Sequence, residues 1–494
     1  MLLRKSFAAA LALLIPVSAA AATRCEQALK SIGARLADVT CVESADLTTK
    51  NPSTTPANNS LPGLPGFAFT PITDRGVIVD ATNLPPILVA VPGLQIQARI
   101  AGDPTGQARF LLRLPDNWNG RLVVAGASGT RSEFNGDFAW SDFVLQKGYA
   151  YASQNKGVLN LQFSTAADPL ACRLNPASSL YVRFYDNEAG QPFTRWAQFM
   201  VSAAQLARDG VKSYYNKAPR YTYAVGTSNG GYQVRRAVEL APELFDGGVD
   251  WEGTFVDEAG PNILMHLPPA ILNYGDYIAS GRNASSTAAQ NIRAAGYPPD
   301  IIGGVQGSLW TNYSNSFWEV TQCQWQKRLD PSYETYVAGL GNYSYFQRLA
   351  VSDVGANLAA FATTGAIKAP LITVAGTMDA LLPIDLHARA YARKVAAALD
   401  DSDHEGEGER DDRKRAAYRL YEVQNGNHIE SYKTTAGPFP QLEYILPHAQ
   451  RAFDILVQSV EQRVALPPDQ CIPRGGSIAA TPLQPGHCAS LFVP

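Results

Sequence analysis

Tyr221-Thr222-Tyr223-Ala224-Val225-Gly226-Thr227-Ser228-Asn229-Gly230-Gly231 is the stretch on which the reading of this chain turns. Its first half is β-branched and aromatic, as a strand requires, and the apolar positions from Gly230 to Leu240 recur at helical spacing. Between the two halves lies Gly-x-Ser-x-Gly. A strand that turns directly into a helix leaves no room for side chains beside the turn, which is what glycine at 226 and 230 supplies. The pattern predicts Ser228 in a strained backbone with its hydroxyl at the helix N-terminus. The N–H of Asn229 then faces any negative charge that develops there. Outside a strand–turn–helix setting the same letters would be only a glycine-rich turn.

A serine hydroxyl is a weak nucleophile without a base, and after such an elbow the chain order is serine, acid, histidine. Leu371–Ala375 reads as a buried strand, and the loop that follows it carries Asp379. Tyr418–Val423 reads as the next strand, and its loop Gln424-Asn425-Gly426-Asn427-His428 carries the base. Asp379 is expected to orient the imidazole of His428 and to stabilise its protonated form. The other histidines do not follow a strand in this order: His266 and His487 fall in irregular segments, His387 and His448 in helical patterns, and His404 in a charged run.

A second oxyanion donor is expected in the loop after an earlier strand, Val123-Val124-Ala125-Gly126-Ala127-Ser128-Gly129, where Gly126 to Gly129 contains the candidates and Ala127 or Ser128 is chosen for the N–H. The hydroxyl of Ser128 reads equally well as that of a turn residue. Trp251 and Glu252 follow a strand at the C-terminal edge of the expected sheet, where open α/β folds bind ligands, and are candidate substrate contacts. A turn or a lid anchor is the plainer reading of both.

Working outward, Leu94–Ile100, Arg109–Leu114, Arg121–Ala127, Tyr149–Ser153 and Gly247–Trp251 read as further strands, and Thr194–Tyr215 as an amphipathic helix. Strands alternating with helices predict the α/β class: an α/β-hydrolase fold with a mostly parallel central sheet. Between Gly253 and Lys368 the alternation gives way to a stretch rich in Tyr, Trp, Asn and Gly, read as an inserted lid. Its aromatics either line a pocket or form the lid's own core. The expected organisation is residues 1–22 as an export signal, 23–93 as an N-terminal extension, 94–252 and 366–470 as the catalytic domain, 253–365 as the lid, and 471–494 as a disulfide-closed tail.

The signal is read from Arg4 and Lys5, the apolar run Phe7–Val17 and the closing Ala20-Ala21-Ala22. That run is too short to span a bilayer, so no membrane span is expected. Export to a secreted or periplasmic location agrees with six cysteines beyond the signal, Cys25, Cys41, Cys172, Cys323, Cys471 and Cys488. Sequence neighbours suggest pairing them in that order, although six cysteines permit roughly 15 connectivities. No C-x-x-C pair or histidine cluster suggests zinc, and the acidic run 400–415 lacks the spacing of a calcium loop, so no metal and no cofactor are expected. The 494 residues carry 41 Lys and Arg against 44 Asp and Glu, a net charge of -3 that gives no reason to expect nucleic acid as a partner.

These residues resemble the tannase and feruloyl esterase family, which includes the hydrolase of mono-(2-hydroxyethyl) terephthalate. The likeness is carried by Asn117-Trp118-Asn119-Gly120-Arg121, by Gly148-Tyr149-Ala150, by the Ser228 elbow with Phe245-Asp246-Gly247, and by the Asp379 and His428 loops. It implies a lid inserted before the acid and hydrolysis of aromatic-acid esters through Ser228, Asp379 and His428. The family's cysteine pair beside the nucleophile and the base is replaced here by Thr227 and Ile429, and the aspartate string of its calcium site is absent between Gly253 and Lys368. A looser similarity, in the Ser-Asn-Gly-Gly elbow, is to secreted hydrolases of hydroxybutyrate oligomers. The expected function is thus a secreted serine carboxylic ester hydrolase acting through an acyl-enzyme on esters of aromatic acids, with a small or oligomeric ester as the bound partner. Hydroxyalkanoate oligomer hydrolysis, a serine peptidase and a non-catalytic binding protein are the alternatives.

Overall fold

The computed structural model describes residues 22–54, 78–129, 132–158, 162–183, 185, 193–404, 417–434 and 438–494. Residues 1–21, with nearly all of the expected signal, and most of the acidic run 400–415 lie outside them.

One sheet of 11 strands organises the chain. In chain order the strands are β1 (Leu36–Ser44), β2 (Gly93–Ile100), β3 (Arg109–Pro115), β4 (Arg121–Ala125), β5 (Ala150–Gln154), β6 (Tyr221–Thr227), β7 (Gly247–Trp251), β8 (Leu371–Gly376), β9 (Tyr418–Val423), β10 (Gln470–Ile472) and β11 (Gln484–Pro485). Their spatial order is β1-β2-β3-β5-β4-β6-β7-β8-β9-β10-β11. From β5 to β10 every pairing is parallel, whereas β1, β2 and β3 at one edge and β11 at the other are antiparallel. The mostly parallel sheet is therefore as expected.

Alternation along the central strands divides the core in two. Leu122 and Val124 of β4 point to one face and Val123 and Ala125 to the other, and all four are buried. A strand buried on both faces reads as the continuous apolar run seen in the sequence. Helices α1 (Arg195–Tyr215), α2 (Asn229–Leu240) and α5 (Ala388–His404) cover the first face, presenting Met200, Ala203, Ala207, Val234, Ala237 and Tyr391. Helix α6 (Leu446–Gln462) covers the second with Phe453 and Leu456. The apolar residues of α1 recur three and four apart, one stripe of a 3.6-residue helix, and α1 ends at Asn216 in the left-handed conformation.

The segment 253–365 lies between β7 and β8 and is largely helical, including α3 (Ile263–Ala279) and α4 (Glu319–Leu329). Most of its aromatics pack on one another, as Tyr277 does on Trp310 and Tyr297 on Trp318. The disulfides pair Cys25 with Cys41, Cys172 with Cys323 and Cys471 with Cys488. The second ties α4 to a small three-stranded sheet built from residues 162–183.

Two boundaries differ from expectation. The sheet begins within residues 23–93, the segment read as an extension, because β1 pairs with β2. Likewise the tail supplies β10 and β11 to the far edge of the sheet.

Candidate active site

Strand β6 runs into α2 at Ser228, which sits at φ 59° and ψ -124°. L-residues rarely adopt such a backbone, and neighbours must over-determine it. The Ser228 N–H donates to the carbonyl of Trp251 at 2.9 Å, extending the β6–β7 pairing past the end of the strand. Gly226 and Gly230 face each other and Gly126 so closely that a Cβ on Gly230 would stand 2.8 Å from the Gly126 carbonyl group. The loop after β4 is thereby pressed against the elbow.

Asp379 and His428 arrive from the C-terminal ends of β8 and β9. The Asp379 Oδ1 accepts from the N–H groups of Leu381 and Leu382, both at 2.7 Å, and Oδ2 lies 2.7 Å from His428 Nδ1. Since a carboxylate accepts, Nδ1 carries the proton, and Nε2 offers its lone pair to Ser228 Oγ at 3.0 Å. All three side chains are buried.

The two loops are cross-tied. The Met378 N–H donates to the Gly426 carbonyl at 2.7 Å, the Asn425 N–H donates to Thr377 Oγ1 at 2.9 Å, and the Tyr313 hydroxyl donates to Asn427 Oδ1 at 2.8 Å. The tail closes the arrangement: Asn425 Nδ2 donates to the Val493 carbonyl at 2.6 Å, Val493 N–H returns a bond to Asn425 Oδ1 at 2.8 Å, and Thr377 Oγ1 donates to the Leu491 carbonyl.

Of the expected oxyanion donors, Asn229 stands at the first helical position, where backbone N–H groups have no intrahelical acceptor. Its side chain is fixed by Thr254 Oγ1, which donates to Asn229 Oδ1 at 2.8 Å. Ala127 and Ser128 do not fit their assignment. The Ala127 N–H is consumed by Gln233 Oε1 at 2.9 Å and the Ser128 N–H by Asn135 Oδ1 at 2.8 Å. Beneath them the buried Lys156 ammonium donates to the carbonyls of Ala127 and Ser128 at 2.8 and 3.2 Å. A trans peptide points its N–H opposite its C=O, so a Ser128 carbonyl drawn towards Lys156 turns the next N–H, that of Gly129, the other way. Gly129 borders the cavity that holds Ser228.

Trp251 and Glu252 are not placed as substrate contacts. Both are buried and neither borders that cavity, because the end of β7 lies on the inner side of the imidazole. Glu252 Oε2 is 3.5 Å from His428 Nδ1 and accepts from Trp251 Nε1 at 3.2 Å, while Oε1 accepts from the Gly376 N–H at 2.9 Å. Burial, and after it the charge of Asp379, hold the Glu252 carboxyl well above the usual carboxylate range. Sequence reasoning missed Lys156 and this placement of Glu252, and within the Gly126–Gly129 range it chose Ala127 or Ser128 over Gly129. The one available signal for Lys156 was the polar run Gln154-Asn155-Lys156 that closes the buried strand β5.

The cavity measures about 150 Å³. Leu174, Tyr185, Ile263, Phe317, Val320 and Leu382 give it an apolar lining, into which Ser316 and Thr321 bring hydroxyls, and none of its described lining residues is a lysine or arginine. Residues 263 and 316–321 come from the segment read as a lid. Away from the cavity, His266 and His387 are buried with their Nε2 atoms 2.9 Å apart, and His487 Nδ1 meets Glu422 Oε1 at 2.6 Å.

The solved structures that resemble this chain include feruloyl esterase B from Aspergillus oryzae, 13% identical with a TM-score of 0.50 over 89% of this chain and 91% of that one. A second esterase from the same organism gives 14% identity and a TM-score of 0.50 over 87% of each chain. The fold is that of an α/β-hydrolase. In sequence, the family described as 3HB-oligomer hydrolase matches residues 342–491, the stretch containing Asp379 and His428. A D-(-)-3-hydroxybutyrate oligomer hydrolase of Burkholderia ambifaria is 30% identical over 134 residues, and that of Burkholderia thailandensis 28% over 133. Each match covers 26% of this chain and 17% of the relative's length.

Proposed function

We propose that the chain is a serine carboxylic ester hydrolase working through an acyl-enzyme at Ser228. One observation carries the reading: hydroxyl, imidazole and carboxylate stand in line at 3.0 and 2.7 Å, drawn from three strand ends of one sheet. Ser228 Oγ attacks the ester carbonyl carbon while its proton passes to His428 Nε2. Asp379 stabilises the resulting imidazolium, and the oxyanion is met by the N–H groups of Asn229 and Gly129. The C–O bond breaks as His428 returns the proton to the departing alkoxide. Water then repeats the sequence on the acyl-serine, giving its proton to Nε2, and the freed acid leaves Ser228 protonated again.

The acyl group is compact and uncharged. A cavity near 150 Å³ is the size of one that takes a benzene ring, and its described lining residues include no lysine or arginine to pair with a carboxylate. The sequence similarity around Asp379 and His428 favours a 3-hydroxybutyryl unit, whose hydroxyl would find partners in Ser316 and Thr321. Esters of aromatic acids are the second reading, supported by Tyr185 and Phe317 in the lining. Three disulfides support an oxidising, secreted or periplasmic location, and the cavity residues from 263 and 316–321 support a lid at 253–365.

The test is a panel of 3-hydroxybutyrate trimer, methyl gallate, methyl ferulate and a peptide p-nitroanilide, run beside fluorophosphonate labelling of the unmodified chain and S228A. Rapid labelling that S228A abolishes, with the trimer cleaved fastest, is the expected result. A chain that took no label would be a scaffold, and preferential cleavage of the anilide would make it a peptidase.

A further inference from the structure

The imidazole of His428 has two buried carboxyls on one nitrogen. Asp379 comes from the end of β8 and Glu252 from the end of the neighbouring β7, and the ligating atoms of Asp379, Glu252 and His428 lie within 4.8 Å of one another. The backbone is shaped to bring Glu252 there. Glu252 adopts φ 51°, a left-handed conformation that is strained for a residue with a side chain. Its N–H bonds the Val374 carbonyl at 2.9 Å, fixing the turn. On the far side, a Cβ on Gly376 would stand 2.8 Å from Glu252 Oε1, so the glycine admits the carboxyl. Nothing in packing alone requires an acid at such a place, where an uncompensated buried carboxylate is strongly disfavoured.

Resting on the hydrolase reading above, we infer that Glu252 is a second positioning carboxyl for His428, sharing one proton with Asp379 and taking over the Nδ1–H bond when Asp379 is lost. In the resting site Asp379 is the anion, because two backbone N–H groups and the imidazole all donate to it. Glu252 holds the proton, since two carboxylates this close and this buried do not both ionise. The pair presents one negative charge to the imidazolium formed during turnover. Deleting the Asp379 carboxyl removes the repulsion, Glu252 gives its proton to solvent, and its Oε2 closes from 3.5 Å to an ordinary hydrogen bond on Nδ1. The other ionisable groups that act on this cluster are Glu430, His387, Tyr297 and Tyr313, all buried.

The test reads activation of Ser228 through the rate of fluorophosphonate labelling in D379A, E252Q and D379A/E252Q across pH. D379A is expected to label at least tenfold faster than the double variant, and equal rates overturn the inference. Should D379A fail to fold, the isosteric D379N and D379N/E252Q carry the same comparison: the single variant labels faster, and its advantage shrinks as pH falls and Glu252 takes up its proton, which a merely space-filling Glu252 would not cause. Equal rates in D379N and D379N/E252Q overturn the inference on that branch. Labelling of the unmodified chain, and its loss in S228A, report on the hydrolase reading separately.

Discussion

Lys156 Nζ lies 2.8 Å from the carbonyl oxygen of Ala127, and the side chain that carries it has no solvent exposure. A buried ammonium satisfied by two peptide carbonyls fixes the plane of the loop that faces the nucleophile, and a donor held before charge develops stabilises the transition state more than the ground state. K156M is accordingly expected to lower kcat by roughly tenfold to a hundredfold while leaving KM nearly unchanged. Steady-state kinetics on a p-nitrophenyl ester would check this, and an unchanged kcat would remove Lys156 from the account.

In the proposed mechanism Ser228 and His428 act as one unit, so losing either is expected to cost about as much as losing both. S228A, H428A and their double variant should each reduce kcat by roughly 10⁶. Additive losses in single-turnover measurements would contradict a shared proton-transfer step.

The contact of Gly230 with Gly126 leaves no space for a methyl group, since the Cβ would stand 2.8 Å from the backbone C and O of Gly126. G230A is expected to destabilise the fold by about 3 kcal/mol, as overpacking between two backbones allows little relief. Urea denaturation followed by tryptophan fluorescence measures it.

Glu430 is fully buried, accepts from the N–H groups of Ile445 and Leu446 at 2.5 and 2.7 Å, and is pushed up to about 7 by burial. Between the ordinary glutamate value and about 7 the folded chain keeps a proton that the unfolded chain has released. Stability from this group is complete below that window and is lost as pH rises through it, by on the order of 3 kcal/mol. In E430Q the fall in urea midpoint over this range should flatten.

The Cys172–Cys323 bridge closes a loop of 151 residues and ties α4, which helps wall the cavity, to the small sheet. Its removal in C172A/C323A is expected to cost about 3–5 kcal/mol. A denaturation midpoint unchanged from that of the unmodified chain would show that the bridge constrains nothing.

Ser228, Asp379 and His428 were legible because each follows a buried strand directly, and chain order fixes which loop must carry which group. Glu252 also follows a strand, yet its role depends on β7 lying beside β8, an adjacency that strand patterns do not encode. The choice of Ala127 or Ser128 over Gly129 within the Gly126–Gly129 range failed for a similar reason. The acceptors that consume the Ala127 and Ser128 N–H groups, Gln233 and Asn135, come from α2 and from further along the loop, and only folding brings them there. The edge strand β1 escaped notice because it is largely exposed and mixes polar with apolar residues, with a register shift between Ala37 and Thr40, so no alternating pattern marks it.

Leu491 and Val493 brace the loops of both the acid and the base, although each is separated from those loops by more than sixty positions of chain. A ribosome delivers this brace after every group it steadies. Competence therefore waits on residues 491–493 rather than arriving as the sheet grows, so replacing this short segment would loosen the support of the carboxylate and of the imidazole together.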